Sequence, residues 1–181
     1  FSFIMGIRED RIFISKALTL AEAGKGAVSP NPKVGCVLVK NGKIIGEGYH
    51  KKFGGKHAEV VAIQKAGRGL AGSTAYINLE PCCIEGKTPP CTKTLIENKI
   101  KKVVISMLDP NPKIKGKGVQ ELKKNGIEVL SGIFEIQARE LNKGFIKWIT
   151  KGIPWVIGKA AQSFNGYLGM DSSSQTRITN Q

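Results

Sequence analysis

The stretch Ser73–Lys99 reads STAYINLEPCCIEGKTPPCTKTLIENK. Its opening, Ser73–Glu80, is rich in β-branched and aromatic residues and has the length of a strand. Its close, Thr92–Lys99, has the pattern of a short helix. Between them, Cys82, Cys83 and Cys91 put three of the chain's four cysteines into ten positions, beside a Gly-Lys turn and Pro89-Pro90. A strand that runs into a loop and out again as a helix is a unit of an α/β fold. The crowded thiols admit a disulfide, a redox pair or a metal site.

The flanking sequence extends this pattern in both directions. Arg8–Gly24 has helical periodicity, with Phe13, Ala17, Leu20 and Gly24 on one face and Ile14, Leu18 and Ala21 beside it. Gly and Pro then break the chain at GAVSPNP. Val34–Val39 is a short apolar strand, KNGK a hairpin turn, and Ile44–His50 the returning strand. HAEVVAIQKAG is a helix that opens at His57 and stops at Gly67. Beyond the cysteines, Lys102–Met107 is a buried strand, Gly116–Gly126 a helix, and Ile127–Leu130 another strand. Phe134, Ala138, Leu141, Phe145 and Trp148 recur every three or four residues and predict one closing helix. Strands separated by crossover helices imply parallel pairing, and the hairpin adds an antiparallel edge. The expected fold is therefore α/β, a mixed sheet of about five strands with helices on both faces. From Gly152 the chain begins like another strand and becomes polar and Ser-rich.

Length and composition suit one soluble domain. The chain has 181 residues, 41% hydrophobic and 23% charged, enough for a real core. No apolar run approaches the ~18 residues of a membrane span. The first residues lack a basic region followed by a long apolar core, so no secretory leader is expected. Four unevenly spaced cysteines do not make a secreted disulfide framework, which favours a reducing cytoplasm. Net charge is +14, which raises nucleic acid as a partner. Against it, 23 of the 28 basic residues are Lys, and aromatics are only 7%. Arg is the usual reader of phosphates and bases, and stacking on single strands needs aromatic platforms. A Lys-rich solvated surface, or a basic mouth for a small phosphorylated substrate, accounts for the charge.

One constellation carries chemistry. His57-Ala58-Glu59 opens a helix, and Pro81-Cys82 and Cys91 follow. Zn²⁺ prefers tetrahedral N/S coordination, and a catalytic site takes three protein ligands. His57, Cys82 and Cys91 would supply one nitrogen and two thiolates, with the thiolates favoured near helix N-termini. Glu59, two residues from a ligand, can lean over the metal without binding it and carry protons to a ring nitrogen and a departing amine. This is the H-x-E…P-C arrangement of the zinc nucleobase deaminases. The short signature ends P-C-x-x-C, whereas eight residues intervene here, so IEGKTPP must loop out. Each part alone is weak. H-x-E is common, and a widely spaced Cys pair also suits structural zinc or a disulfide. Cys36, inside a Val-rich strand, reads as a small buried hydrophobe, and Cys83 as a spectator.

At these residues the chain resembles the deaminase half of the bifunctional riboflavin-biosynthesis deaminase/reductase. The resemblance runs from about Asp10 to Thr150 and rests on SPNPKVGCVLV, GEGYH, HAEV, LEPC, GKTPPC, DPNPKIKGKG and LNKGF. It implies a cytidine-deaminase-like three-layer α/β/α sandwich, with a zinc-dependent deaminase domain over 1–150 and a linker with the start of a reductase-like domain over 151–181. It also implies hydrolytic removal of the 2-amino group of 2,5-diamino-6-(5-phosphoribosylamino)pyrimidin-4(3H)-one. One zinc per chain would sit on His57, Cys82 and Cys91, with Glu59 as proton carrier. Asn31, His50, Lys87 and Asn111 would surround the substrate: Asn31 offers donor and acceptor to the pyrimidine, and Lys87 meets the phosphate. Asp109 would hold that loop or meet ribose hydroxyls.

Two departures stand out. Ile84 replaces the family's usual His, and Phe164-Asn165 replaces Leu-Asp in KAAQSFNG, which otherwise looks like the opening of the reductase half. NADPH would enter only with a complete reductase domain, so no reductase activity is expected from these residues. The expected partner is a small phosphorylated pyrimidine, with no nucleic acid and no membrane, and the resemblance is compatible with a homo-oligomer. The rivals are a tRNA or single-strand deaminase sharing the metal motif, and a basic binding module with closed, four-ligand structural zinc.

Overall fold

The computed structural model describes residues 2–86, 89–160 and 164, and the side chains of residues 8 onward within them. The elements follow in the order α1 (Ser2–Glu22), β1 (Gly35–Lys40), β2 (Lys43–Tyr49), α2 (Ala58–Ala66), β3 (Thr74–Leu79), α3 (Cys91–Glu97), β4 (Lys102–Met107), α4 (Lys117–Lys124), β5 (Glu128–Ser131), α5 (Glu135–Leu141) and α6 (Lys143–Lys151). The five strands form one sheet in the order β2-β1-β3-β4-β5. β1 runs antiparallel to both β2 and β3, while β3, β4 and β5 are parallel. The expected mixed sheet is present, with one refinement. Only β2 of the hairpin is at the edge, and β1 is interior.

Side chains of period two divide the sheet into two apolar layers. Cys36, Leu38, Ala75, Ile77, Val103 and Ile105 face one side and pack with Ala58, Ala62, Leu95 and Leu122 from α2, α3 and α4. Val37, Val39, Tyr76 and Val104 face the other side, against Phe13, Ile14 and Ala17 of α1. Ile77 and Ile105 are fully buried, an environment worth roughly 1.5–3 kcal/mol for each side chain. On the α1 side, Asp10 accepts the Tyr76 hydroxyl at 2.8 Å and pairs with Lys102 at 3.0 Å, so its buried charge is compensated.

Glycine in β2 determines how closely α2 can lie. A Cβ at Gly46 would stand 2.4 Å from the Ala62 carbonyl oxygen, and one at Gly48 2.7 Å from that of Ala58. With no side chain at either position, α2 rests directly on the hairpin. That contact fixes the height of His57 and Glu59 above the end of the sheet.

The C-terminal region departs from the sequence expectation. Phe134 is not helical, with φ +57°, and the single closing helix is two, α5 and α6, meeting at Asn142. Residues 153–160 form neither helix nor strand, and Val156 and Ile157 are about four-fifths exposed, at 80% and 78%. Among the described residues no helix is long and apolar enough to cross a membrane.

Candidate active site

The carboxyl ends of β3 and β4, where an open α/β sheet leaves a crevice, meet the N-termini of α2 and α3. β3 delivers Glu80, Pro81 and Cys82, β4 delivers Asp109, and the loop before β1 delivers Asn31. His57 takes the N-cap position of α2 in an extended conformation, with φ −71° and ψ 160°. Glu59 is the second residue of α2, and Cys91 is the first residue of α3.

This arrangement brings His57, Cys82 and Cys91 together. Their ligand atoms all lie within 4.8 Å of one another. His57 Nδ1 is 3.2 Å from Cys91 Sγ and 3.5 Å from Cys82 Sγ. A tetrahedral ion with the usual Zn–N and Zn–S bonds spaces such atoms about 3.6 Å apart, so the donor set and its spacing fit Zn²⁺. Among the described residues no fourth His, Cys, Asp or Glu joins the group. The Cys91 N–H donates to Cys82 Sγ at 3.4 Å. Cys82 is held well below the ordinary thiol range, first by a hydrogen bond from the Cys91 thiol and then by one from His57. That shared bond pushes Cys91 up, and His57 is raised chiefly by its contact with Cys82. All four cysteines are free thiols. Cys36 is fully buried in the core beneath α2, as its strand position suggests.

Glu59 is 3% exposed. Burial pushes its carboxyl above the ordinary range, and the nearby Cys82 charge adds to the effect. A carboxyl in this state exchanges protons closer to neutral pH than an exposed one.

The polar wall is fixed by hydrogen bonds. His50 Nδ1 faces the Lys56 carbonyl at 3.0 Å, which can only accept, so the proton is on Nδ1. His50 Nε2 therefore accepts from Asn31 Nδ2 at 3.2 Å. Burial pushes the His50 pKa down, consistent with a neutral ring. Asn31 keeps Oδ1 and one amide hydrogen for a ligand. Asn111 Oδ1 accepts the Lys113 N–H at 3.0 Å, which leaves its Nδ2 to donate. Asp109 Oδ1 accepts the Asn111 N–H at 2.8 Å, and burial raises the Asp109 carboxyl to about 6.

Asn31, His50, His57, Glu59, Cys82 and Asn111 line one cavity of about 320 Å³. Asp109 and Glu80 also line it, as do Phe145, Trp148 and Ile149 of α6. A second mouth of about 280 Å³ reaches Asn31, His57 and Cys82 between Phe53 and Ile84. Ile84 thus occupies the rim where the resemblance expects His. A larger cavity, about 670 Å³, opens near Lys25, Lys143 and Trp155 but reaches none of the three metal-type ligands. Lys87 lies outside the described residues. Sequence reasoning missed the α6 wall, because Phe145 and Trp148 carry the periodicity of a core helix. It also missed Glu80 as an anchor. Its carboxylate accepts the N–H groups of Asp109, Gly116 and Val119 at 3.0, 2.9 and 3.0 Å and so ties the DPNP loop to the cysteine strand.

Comparison with known proteins gives the same direction. Residues 7–107 match the family described as cytidine and deoxycytidylate deaminase zinc-binding region. The chain is 51% identical over 146 residues to the diaminohydroxyphosphoribosylamino-pyrimidine deaminase of Buchnera aphidicola subsp. Schizaphis graminum, covering 81% of this chain and 99% of that protein. It is 48% identical over 176 residues to the riboflavin biosynthesis protein RibD of Aquifex aeolicus, covering 97% of this chain and 49% of the relative. The solved structure of Acinetobacter baumannii RibD, form 1, superposes with a TM-score of 0.88 at 47% identity, covering 96% of this chain and 49% of that one. The chain therefore spans about half the length of several of the relatives it matches.

Proposed function

The chain belongs to the zinc-binding cytidine and deoxycytidylate deaminase family, among the diaminohydroxyphosphoribosylaminopyrimidine deaminases, and on that premise we propose that it hydrolytically removes the 2-amino group of 2,5-diamino-6-(5-phosphoribosylamino)pyrimidin-4(3H)-one. Water supplies the oxygen that replaces the amine, and the amine departs as ammonia. The observation that carries the reading is the His57–Cys82–Cys91 donor set beside the buried Glu59, at the floor of a cavity bearing Asn31, His50 and Asn111.

In this reading His57 Nδ1, Cys82 Sγ and Cys91 Sγ hold one Zn²⁺. Bound there, the ion supplies Lewis acidity and makes hydroxide available at neutral pH. The chain's own residues perform the rest. Glu59 takes one proton of the water on a carboxylate oxygen and gives it to the ring nitrogen; it then takes the second, from the new C–OH, and gives it to the leaving amine. Its burial favours the protonated form that the second half of the cycle needs. Asn31, oriented by His50, presents a donor and an acceptor to the pyrimidine edge, and Asn111 Nδ2 adds a donor. Phe145 and Trp148 cover the ring and exclude bulk water. Lys87 meets the phosphate. We assign the deaminase domain to residues 1–150, with 151–181 as linker and reductase-like start, and place the protein in the cytoplasm, where its four cysteines, none of them in a disulfide, remain reduced.

The test is ammonia release from the diaminopyrimidine nucleotide, measured beside cytidine and a tRNA anticodon stem. Turnover confined to the nucleotide is expected. Preferential action on the stem, with binding that falls steeply as salt rises, would replace this reading with nucleic-acid deamination.

A further inference from the structure

The pattern Leu141-Asn142-Lys143-Gly144-Phe145 falls at the junction of α5 and α6, and the chemistry above gives Asn142 no task. Asn142 is 2% exposed and does not cap α6 with its side chain. Both of its polar atoms are engaged by the backbone of one residue, Lys33, 109 residues earlier in the chain. The Lys33 N–H donates to Asn142 Oδ1 at 2.8 Å, and Asn142 Nδ2 donates to the Lys33 carbonyl at 3.0 Å. From β3, the fully buried Asn78 donates Nδ2 to that carbonyl at 3.0 Å and accepts the Gly35 N–H at 2.8 Å. The carbonyl thus uses both of its lone pairs.

This clamp is two residues from Asn31, in a segment poor in backbone donors because Pro30 and Pro32 have no N–H. The next residue, Val34, accepts the His50 N–H at 2.9 Å, and His50 orients the Asn31 amide. On its other side, Asn142 starts the helix whose Phe145 and Trp148 line the cavity. Asn142 itself does not line that cavity.

We infer that Asn142 is a positioning residue for the substrate, fixing the spacing between Asn31 on the SPNP loop and the Phe145–Trp148 wall on α6. It touches no reacting atom. Its loss should weaken ground-state and transition-state binding alike and leave the proton-transfer groups in place. The inference rests on the deaminase reading above.

The experiment compares wild type and Asn142→Ala in steady-state deamination of the diaminopyrimidine nucleotide, with zinc content and amide hydrogen exchange measured in parallel. Removing two buried hydrogen bonds should raise KM about tenfold or more while kcat stays within about threefold. Zinc per chain should not change. Exchange at the Lys33 amide should accelerate, and that at the Ile146 amide, bonded to the Asn142 carbonyl, should not. Should the Ala variant fail to fold, Asn142→Asp replaces it. A protonated carboxyl reproduces the donor–acceptor pair, so the variant's KM relative to wild type should approach one at low pH and rise with pH. An active wild type with KM unchanged in these variants, or with kcat falling at constant KM, overturns this inference alone. A wild type that releases no ammonia overturns the deaminase reading and this inference with it.

Discussion

Replacing Glu80 with Gln should cost far more than the loss of one charge at a protein surface. Glu80 is 3% exposed, and its two oxygens accept three backbone N–H groups. Oε2 holds Asp109 at 3.0 Å and Gly116 at 2.9 Å, and Oε1 holds Val119 at 3.0 Å. Gln retains one oxygen. In its better orientation that oxygen keeps the pair on Asp109 and Gly116, and the new NH₂ faces the Val119 N–H, so two donors meet in a buried place. One charge-assisted bond is lost and one donor is orphaned, a cost of about 2–3 kcal/mol. Glu80→Ala orphans all three donors and should cost about 4 kcal/mol or more. Urea unfolding of the zinc-loaded protein measures this directly: the midpoint should fall with the slope unchanged. For a chain of this size the Gln variant should also melt roughly 5–10 °C lower. KM should rise in the Ala variant, where the Asp109 loop loses its anchor, and change less in the Gln variant, which keeps the bond to Asp109. A Gln variant within about 0.5 kcal/mol of wild type, the range of an ordinary surface change, would refute the anchoring argument.

Other outcomes follow from the same geometry. Glu59→Gln should retain zinc and lose turnover by roughly 10²–10⁴-fold, the usual contribution of a general acid–base group; single-turnover ammonia release checks this, and normal turnover would remove Glu59 from the mechanism. Lys87→Ala should raise KM for the phosphorylated substrate more than for its dephosphorylated analogue, and equal effects would exclude phosphate contact. Burial raises the folded-state pKa of Asp109 to about 6, above its unfolded value. Its contribution to stability is therefore fully present below the ordinary carboxylate range and is lost as pH rises through about 6. Urea unfolding across that interval should show Asp109→Asn gaining on wild type as pH rises, and parallel curves would contradict the shift.

Different physical rules made different parts of this protein legible. The hairpin and the β3–α3 unit could be read because alternation and helical spacing are local, and a sheet buried on both faces needs them. His57, Glu59, Cys82 and Cys91 could be read because donor chemistry restricts which residues hold such an ion. The closing helix was misjudged because periodicity counts apolar positions. It cannot tell that Asn142 will turn inward to hold a peptide 109 residues away. Nothing local marks Glu80 either. Its three N–H partners lie on β4's exit loop and around the start of α4, and only the fold assembles them. Trp148 follows the same logic. Its helical spacing fits a core face, yet it is 46% exposed and lines the cavity.

The central claim is that His57, Cys82 and Cys91 share one zinc ion and that no fourth side chain completes its shell. X-ray diffraction across the zinc absorption edge, on crystals grown without added metal, tests it most directly. A single anomalous peak per chain within bonding distance of His57 Nδ1, Cys82 Sγ and Cys91 Sγ is the predicted result. An absent peak in an active enzyme, or a peak closed off by a fourth protein ligand, would contradict the account.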